Sequence, residues 1–209
     1  MINRELYMEQ ITPFIDKPFV KVITGIRRCG KSVVLRLIRE ELLRRGVSED
    51  YIIYMNFESF EWIDMKEAKA LYAHIREATK ASGKYYILLD EIQEVTDWEK
   101  AVNAFLVDLD VDIYVTGSNS RLLSSEFSTY LAGRYVAFHI MTLSFREYLL
   151  FHDLPLTISV SDRKTEFLKY LRMGGFPAIH TANYDYNAIY KIVYDIYSSV
   201  ILRDYRAEA

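Results

Sequence analysis

One eight-residue segment limits the possible folds of this chain more than any other feature, because it sets two glycines, a lysine and a hydroxyl at a fixed spacing. The segment fits the pattern G-x-x-x-x-G-K-[ST] and consists of Gly25, Ile26, Arg27, Arg28, Cys29, Gly30, Lys31 and Ser32. An apolar run ends directly before it, and an amphipathic run starts at its end. Glycines at these positions let backbone N–H groups surround phosphate oxygens, and a following helix presents its positive end to the same anion. The segment therefore predicts a phosphate-binding loop between a buried strand and a helix.

The pattern also predicts what individual side chains of this loop do. Lys31 is expected to reach the β- and γ-phosphates of ATP, and the Ser32 hydroxyl is expected to bind Mg²⁺. Val33 follows the motif directly and completes the predicted nucleotide-binding positions. Cys29 lies among basic residues, which predicts a reactive thiol. Because it is the single cysteine, an intrachain disulfide and a cysteine-based zinc site are excluded.

A pair of acidic residues follows the apolar run Tyr85–Leu89. A buried strand that ends in an acidic residue places Asp90 beside the metal, as in a Walker B motif. Glu91 adds a second carboxylate that is suited to polarising an attacking water molecule. The alternative interpretation is an acidic turn after a core strand. With the phosphate loop upstream, we expect Asp90 to bind the metal and Glu91 to act as the catalytic base.

Polar side chains also end two other predicted strands. Ser118 and Asn119 follow the run Val111–Thr116, and ligands bind at such strand ends in open α/β sheets. They are expected to sense the γ-phosphate or hold the attacking water, or else to cap the following helix. Asn56 ends another apolar run, where it would hydrogen-bond Glu91 and restrain it until a partner arrives, or simply form a turn.

The order of apolar and amphipathic runs predicts an α/β fold. Strands are expected at Phe19–Thr24, Tyr51–Phe57, Tyr85–Leu89, Val111–Thr116 and Tyr135–Leu143, with amphipathic helices between them. The strands alternate little between apolar and polar residues, which is typical of a parallel sheet covered by helices on both faces. After Ser144 only helical patterns follow, at Phe145–Phe151, Arg163–Met173 and Tyr186–Arg203. We therefore expect an α/β domain over residues 1–143 and a small helical subdomain over 144–209.

Composition and charge exclude several classes of protein. The formal charge of −3 and the pI near 5.9 argue against a strongly basic nucleic-acid binder. The four histidines are scattered without the spacing of metal ligands. No apolar run approaches the roughly 18 residues that would span a membrane, and the start lacks the apolar segment of a secretory signal. The expectation is a cytoplasmic protein that does not bind membranes.

Together these motifs resemble the AAA+ ATPases, in particular a prokaryotic group that carries a C-terminal domain of unknown function after its ATPase module. The resemblance covers nearly the whole chain. It rests on Gly25–Ser32, Leu88–Glu91, Thr116–Ser118, Tyr130–Tyr135, Leu143–Glu147 and Gly174–Pro177. It implies the strand order 5-1-4-3-2, a helical lid after the fifth strand, and an ATPase module whose C-terminal domain is absent from this sequence.

The resemblance also implies an arginine finger at Arg134, just before the fifth strand; the alternative is a surface arginine that closes a helix. The expected function is Mg²⁺-dependent ATP hydrolysis that moves a lid or an appended domain. Alternatives are a slow nucleotide-dependent switch or scaffold, a DNA-directed ATPase, and a P-loop small-molecule kinase. The expected partners are ATP and ADP, a second copy of the chain, and a protein or nucleic acid bound through the C-terminal domain.

Overall fold

The computed structural model describes residues 4–117, 131–181 and 184–207, and for 200–207 it describes the backbone helix alone. Five strands form one sheet in the order β2-β3-β4-β1-β5. Their bounds are β1 (Val20–Gly25), β2 (Ile52–Asn56), β3 (Tyr85–Asp90), β4 (Val111–Gly117) and β5 (Tyr135–Ile140). The sheet is parallel. Read from its other side, this order is the predicted 5-1-4-3-2, so the predicted fold class is confirmed.

Seven α-helices occur in the described residues. They are α1 (Glu5–Ile11), α2 (Lys31–Arg44), α3 (Ala68–Ala78), α4 (Trp98–Asp108), α5 (Phe145–Phe151), α6 (Val160–Met173) and α7 (Tyr186–Ala207). Short 3-10 turns lie at Thr12–Phe14, Glu49–Tyr51, Phe60–Met65, Ile92–Glu94 and Pro177–His180. None of the helices in the described part of the chain is both long enough and apolar enough to cross a membrane.

The chain divides into two compact units. The first, here called the sheet unit, comprises Glu5–Gly25 and Lys31–His139. The second, here called the helical unit, comprises Arg4, Ile26–Gly30 and the described residues from Ile140 onward. The phosphate-loop residues Ile26–Gly30 thus cluster with the helical unit, although the sequence on both sides of them belongs to the sheet unit.

The core of the sheet unit follows from side chains that alternate along the strands. Ile87 and Leu89 on β3 and Ile113 and Val115 on β4 belong to one buried cluster. The apolar stripe of α4 packs into the same cluster through Trp98, Ala101, Val102 and Phe105. β1 and β3 are buried at every position, as expected of central strands in a parallel sheet. The carboxyl ends of β1, β3 and β4 therefore reach one edge of a rigid scaffold.

Two local devices shape the helical unit. α5 begins in a capping box, in which the Ser144 side chain accepts from the Glu147 backbone N–H and the Glu147 carboxylate accepts from the Ser144 N–H. Further on, the Leu143 N–H donates to the Gly175 carbonyl over 2.7 Å. A Cβ atom at Gly175 would lie 2.6 Å from the Leu143 carbonyl oxygen, so only glycine fits there. This close contact explains why the predicted turn at Gly174–Pro177 has a glycine at position 175.

Candidate functional site

Lys31 is the first residue of α2 and is only 4% exposed. Its Nζ atom lies 3.4 Å from Glu91 Oε1 and donates to the Gly25 carbonyl oxygen over 3.3 Å. A buried lysine needs a countercharge or several hydrogen-bond acceptors, because the ammonium group loses its water. The Glu91 pair is longer than a typical charge-assisted hydrogen bond. It therefore supplies the countercharge while leaving the ammonium group able to change partners.

Asp90 ends β3 with no exposed surface. Its Oδ1 accepts from Thr116 Oγ1 at 2.5 Å, and its Oδ2 accepts from the Tyr54 hydroxyl at 3.1 Å. β2 and β4 flank β3, so their side chains approach Asp90 from both neighbouring strands. Burial and the nearby Asp90 carboxylate raise the pKa of Tyr54, which keeps its hydroxyl a donor. These two bonds fix the orientation of the carboxylate and occupy only part of its capacity to accept.

Glu91 adopts a left-handed backbone conformation, with φ 55° and ψ 48°. Its N–H donates to Thr116 Oγ1 over 2.9 Å, and its Oε2 accepts from Gln93 Nε2 at 2.5 Å. A left-handed glutamate costs conformational energy and persists only where surrounding contacts hold it. The Thr116 hydroxyl binds Asp90 as a donor and Glu91 as an acceptor, so one side chain sets the relative placement of both acids. Gln93 Oε1 is buried without a hydrogen-bond partner among the described residues.

The phosphate-loop residues of the helical unit have an unusual backbone. Arg28 has φ 65° and Gly30 has φ 105°. Cys29, between them, is fully buried. A buried thiol is inaccessible to reagents, which conflicts with the expected reactivity of this cysteine. The Cys29 carbonyl oxygen accepts from Arg4 Nη1 at 3.0 Å.

Apart from Arg134, the remaining predicted residues fall into three groups. Ser32 and Val33 lie half-buried in the first turn of α2. Asn56 Oδ1 accepts from the Glu58 N–H at 2.9 Å, which is the bond of a turn-forming asparagine; its bond to Glu91 stays a prediction. Ser118 and Asn119 lie outside the described residues.

Arg134 is exposed and donates from Nη1 to Asn103 Oδ1 over 3.0 Å. It lies directly before β5, at the amino edge of the sheet, whereas Asp90 and Glu91 lie at the carboxyl edge. Because the strands run parallel, these two edges are opposite. Arg134 and the acidic pair are therefore far apart within the sheet unit.

Sequence reasoning missed the side chains that support the acidic pair. Thr116 and Tyr54 were not among the predicted site residues, although each is a polar residue near the carboxyl end of a mostly apolar strand. Gln93 follows the acidic pair by two positions and carries no motif. Polar side chains near strand ends were thus a usable signal, whereas the contact between Gln93 and Glu91 depends on the left-handed turn at Glu91.

Comparison with known proteins agrees with this geometry. The family described as "AAA domain" matches residues 17–149. An uncharacterized protein of Haemophilus influenzae is 41% identical over 205 residues, which cover 98% of this chain and 50% of that protein. An uncharacterized protein of Methanocaldococcus jannaschii is 34% identical over 209 residues, which cover 98% of this chain and 44% of that protein. The chain spans about half the length of the curated relatives it matches.

Solved structures that share the fold include DnaA and Hsp104. DnaA from Aquifex aeolicus bound to AMPPCP has a TM-score of 0.55 at 16% identity, covering 85% of this chain and 59% of DnaA. Hsp104 with ATPγS and casein has a TM-score of 0.54 at 12% identity, covering 86% of this chain and 36% of Hsp104. The fold and motifs define a P-loop module of the AAA+ type, a class of nucleotide-binding, ATPase-like domains. Within that class, the chain belongs to the AAA domain family whose model matches it over residues 17–149.

Proposed function

We propose that this module binds ATP together with Mg²⁺ and hydrolyses it. The observation that carries the proposal is the cluster at the carboxyl edge of the sheet, where Lys31 contacts Glu91 and the Thr116 hydroxyl joins Glu91 to Asp90. These are the residue types that phosphate binding, metal binding and water activation require. The DnaA and Hsp104 structures, which contain ATP analogues, support the choice of nucleotide.

The residues fit a magnesium ion. Mg²⁺ prefers oxygen ligands and commonly takes one or two from the protein, with phosphate oxygens and water completing the shell. The Ser32 hydroxyl and the buried Asp90 carboxylate supply oxygens of that kind. The described residues contain no group of three or more His, Cys, Asp or Glu side chains placed to hold a metal by themselves. This agrees with a metal that depends on the nucleotide, and bound Mg²⁺ would neutralise charge on the phosphates.

The pair between Lys31 and Glu91 suggests how binding prepares catalysis. Phosphate oxygens would draw the Lys31 ammonium group away from Glu91, since the two anions compete for one cation. Glu91 would then keep the hydrogen bond from Gln93, which orients its carboxylate. In that arrangement the carboxylate accepts the proton of the attacking water. Occupation of the site thereby releases the catalytic base.

The proposal also covers the movement that ATP hydrolysis drives and the partners of the protein. We infer that the cycle moves the helical unit or a further domain, because the curated relatives are about twice as long as the matched region. The position of Arg134 at the opposite sheet edge supports a homo-oligomer in which one copy completes the site of another. The substrate of that work and any protein or nucleic-acid partner belong to the whole protein.

Titration calorimetry with a non-hydrolysable ATP analogue tests the proposal. Lys31→Ala should weaken Mg²⁺-dependent binding roughly 100-fold or more, because a buried charge that contacts phosphates is lost. Lys80→Ala is the matched control, since Lys80 is exposed and pairs with Glu77 on the surface. Equal affinities of the Lys31→Ala and Lys80→Ala variants would refute the proposed phosphate site. Phosphate release by the unmodified protein then separates turnover from a slow switch.

A further inference from the structure

Arg4 connects three parts of the helical unit. Its guanidinium group donates from Nε to Glu147 Oε1 over 2.5 Å, from Nη1 to the Cys29 carbonyl over 3.0 Å, and from Nη2 to the Met141 carbonyl over 2.9 Å. The residue is 2% exposed. Arginine presents its donors in a rigid planar fork, so these three acceptors are held at fixed positions relative to one another. Lysine cannot reproduce that arrangement.

The bond to Cys29 fixes the direction of one peptide group in the phosphate loop. In a planar trans peptide the carbonyl and the next N–H point in opposite directions. When Arg4 holds the Cys29 carbonyl, the Gly30 N–H must point away from the guanidinium group. Arg28 and Gly30 both have a positive φ, so the Cys29–Gly30 peptide is not held in place by a regular helix or strand. A Cβ atom at Gly30 would lie 3.2 Å from Arg4 Nη1, so the loop and the arginine are also tightly packed.

Glu147 anchors the arginine. Its Oε2 accepts from the Ser144 N–H at 2.8 Å and from Ser144 Oγ at 2.9 Å, which completes the cap of α5. Its Oε1 is the atom that accepts from Arg4. One carboxylate therefore closes the start of a helix and pairs with the buried guanidinium group. A buried ion pair of this kind is costly to break, because the remaining charge stays desolvated.

We propose that Arg4 is a positioning residue for nucleotide binding, which holds the Cys29–Gly30 peptide so that the Gly30 N–H is available to a phosphate oxygen. The inference rests on the proposed function, since it concerns the same phosphate loop. It adds a residue that lies outside both the sequence motif and the region matched by the family. It also makes the start of α5 part of what sets affinity for the nucleotide.

Two variants test this proposal with different side effects. Arg4→Lys keeps the positive charge and loses the planar set of donors that binds three acceptors at once. Glu147→Gln keeps an acceptor suited to the capping box and loses the charge that anchors Arg4. In each variant we expect the Kd for a non-hydrolysable ATP analogue and the KM for ATP to rise roughly tenfold, as for a lost charge-assisted hydrogen bond. The kcat at saturating ATP should stay within about twofold, because bound phosphates restore the loop.

Hydrogen exchange of the loop in the nucleotide-free protein supplies a readout that does not depend on ATP. The Cys29 N–H, which donates to the Ile26 carbonyl over 3.3 Å, should exchange faster in both variants. Arg44→Lys, which alters an exposed ion pair with Glu41, is the matched control and should change neither exchange in the loop nor the Kd. Unchanged loop exchange or an unchanged Kd in Arg4→Lys would overturn the proposal. If the unmodified protein binds no nucleotide, the proposed function fails and this inference fails with it, whereas the exchange result still reports whether Arg4 holds the loop.

Discussion

The two edges of the sheet carry similar side chains but pair them differently. At the amino edge, Lys21 on β1 and Asp112 on β4 form an ion pair whose side chains are 0% and 1% exposed. Asp112 Oδ2 also accepts from the Tyr114 hydroxyl at 2.9 Å and from the Asp16 N–H at 2.8 Å. Lys21 donates in addition to the Lys17 carbonyl over 2.9 Å. This cluster is closed, because its charges face each other and their polar neighbours are engaged.

The carboxyl edge combines the same ingredients in a looser way. Lys31 and Glu91 are 3.4 Å apart, and the Glu91 side chain keeps 16% of its surface exposed. Asp90 receives hydrogen bonds from a tyrosine and a threonine, as Asp112 receives one from a tyrosine. A saturated buried pair contributes to a fixed structure, whereas a long and partly exposed pair can exchange partners at small cost. Equal residue types thus support stability at one edge and are suited to ligand exchange at the other.

The largest expected effect would show that the amino edge also takes part in catalysis. Arg134 lies at that edge, so an arginine finger there must act on a second copy of the chain. Arg134→Ala should lower the hydrolysis rate roughly 10³–10⁵-fold and leave ATP affinity nearly unchanged, because the contact forms in the transition state. Steady-state phosphate release measures the effect, and Arg76→Ala, another exposed arginine, is the control.

A mixing experiment decides whether the finger acts between copies. Arg134→Ala chains with an intact Glu91, combined with Glu91→Gln chains that keep Arg134, should recover activity that neither variant has alone. A mixture that binds ATP and associates but stays inactive would contradict the finger, and the two edges would then be functionally separate.

The next effect concerns Glu91, the proposed base at the carboxyl edge. Glu91→Gln should lower hydrolysis roughly 10²–10⁴-fold, which is the contribution of general base catalysis. ATP should bind at least as tightly as before, because Lys31 no longer has a competing anion. Calorimetry and phosphate release measure the two quantities separately. Glu94→Gln on the same turn, which alters a 4.0 Å contact with Lys66, should change neither.

A variant of the closed cluster should affect stability instead of nucleotide binding. Lys21→Met leaves Asp112 buried without its countercharge and should lower the free energy of unfolding by about 3–5 kcal/mol. Urea denaturation measures this change. Adding Asp112→Asn should restore part of the loss, because the amide carries no charge. A free energy of unfolding close to that of the unmodified protein would mean that the buried pair contributes little to stability.

The smallest effect depends on pH. Burial acts to raise the pKa of Asp16, but hydrogen bonds from Lys84 and Tyr86 outweigh it, and the pKa is lowered. A lowered carboxylate pKa stabilises the folded state above the ordinary value of 3.8 and loses this contribution as the pH falls through the folded value. Asp16→Asn should therefore lower the melting temperature at neutral pH, and its difference from the unmodified protein should shrink below that range. A difference that grows in acid would contradict this sign.

The fold followed from the sequence because its signals are local and repeated. Four of the five strands end within one residue of the predicted limits, and α5 has the predicted bounds. β5 is shorter than expected, since the apolar run continues to Leu143 but the Leu143 N–H pairs with Gly175 instead of a strand. The helix α1 was not predicted, because only Tyr7 and Ile11 are buried in it and its apolar pattern is short.

Only those residues of the candidate site that belong to a sequence motif could be predicted. Lys31, Asp90 and Glu91 were expected, and Lys31 does meet Glu91. The link through Thr116 depends on β4 lying beside β3, which a single strand pattern does not show. Arg4 and Glu147 are separated by 143 positions, and no local rule joins residues so far apart.

The position of Arg4 has a practical consequence for anyone who shortens this protein. The family match begins at residue 17, so a protein trimmed to start at that residue keeps every motif named in the sequence analysis. It would nevertheless lack α1 and the guanidinium group that the Cys29 carbonyl and Glu147 share. Such a fragment would retain the phosphate-loop sequence and lose the hydrogen bond that holds the loop. Weak nucleotide binding by that fragment would then be an artefact of trimming.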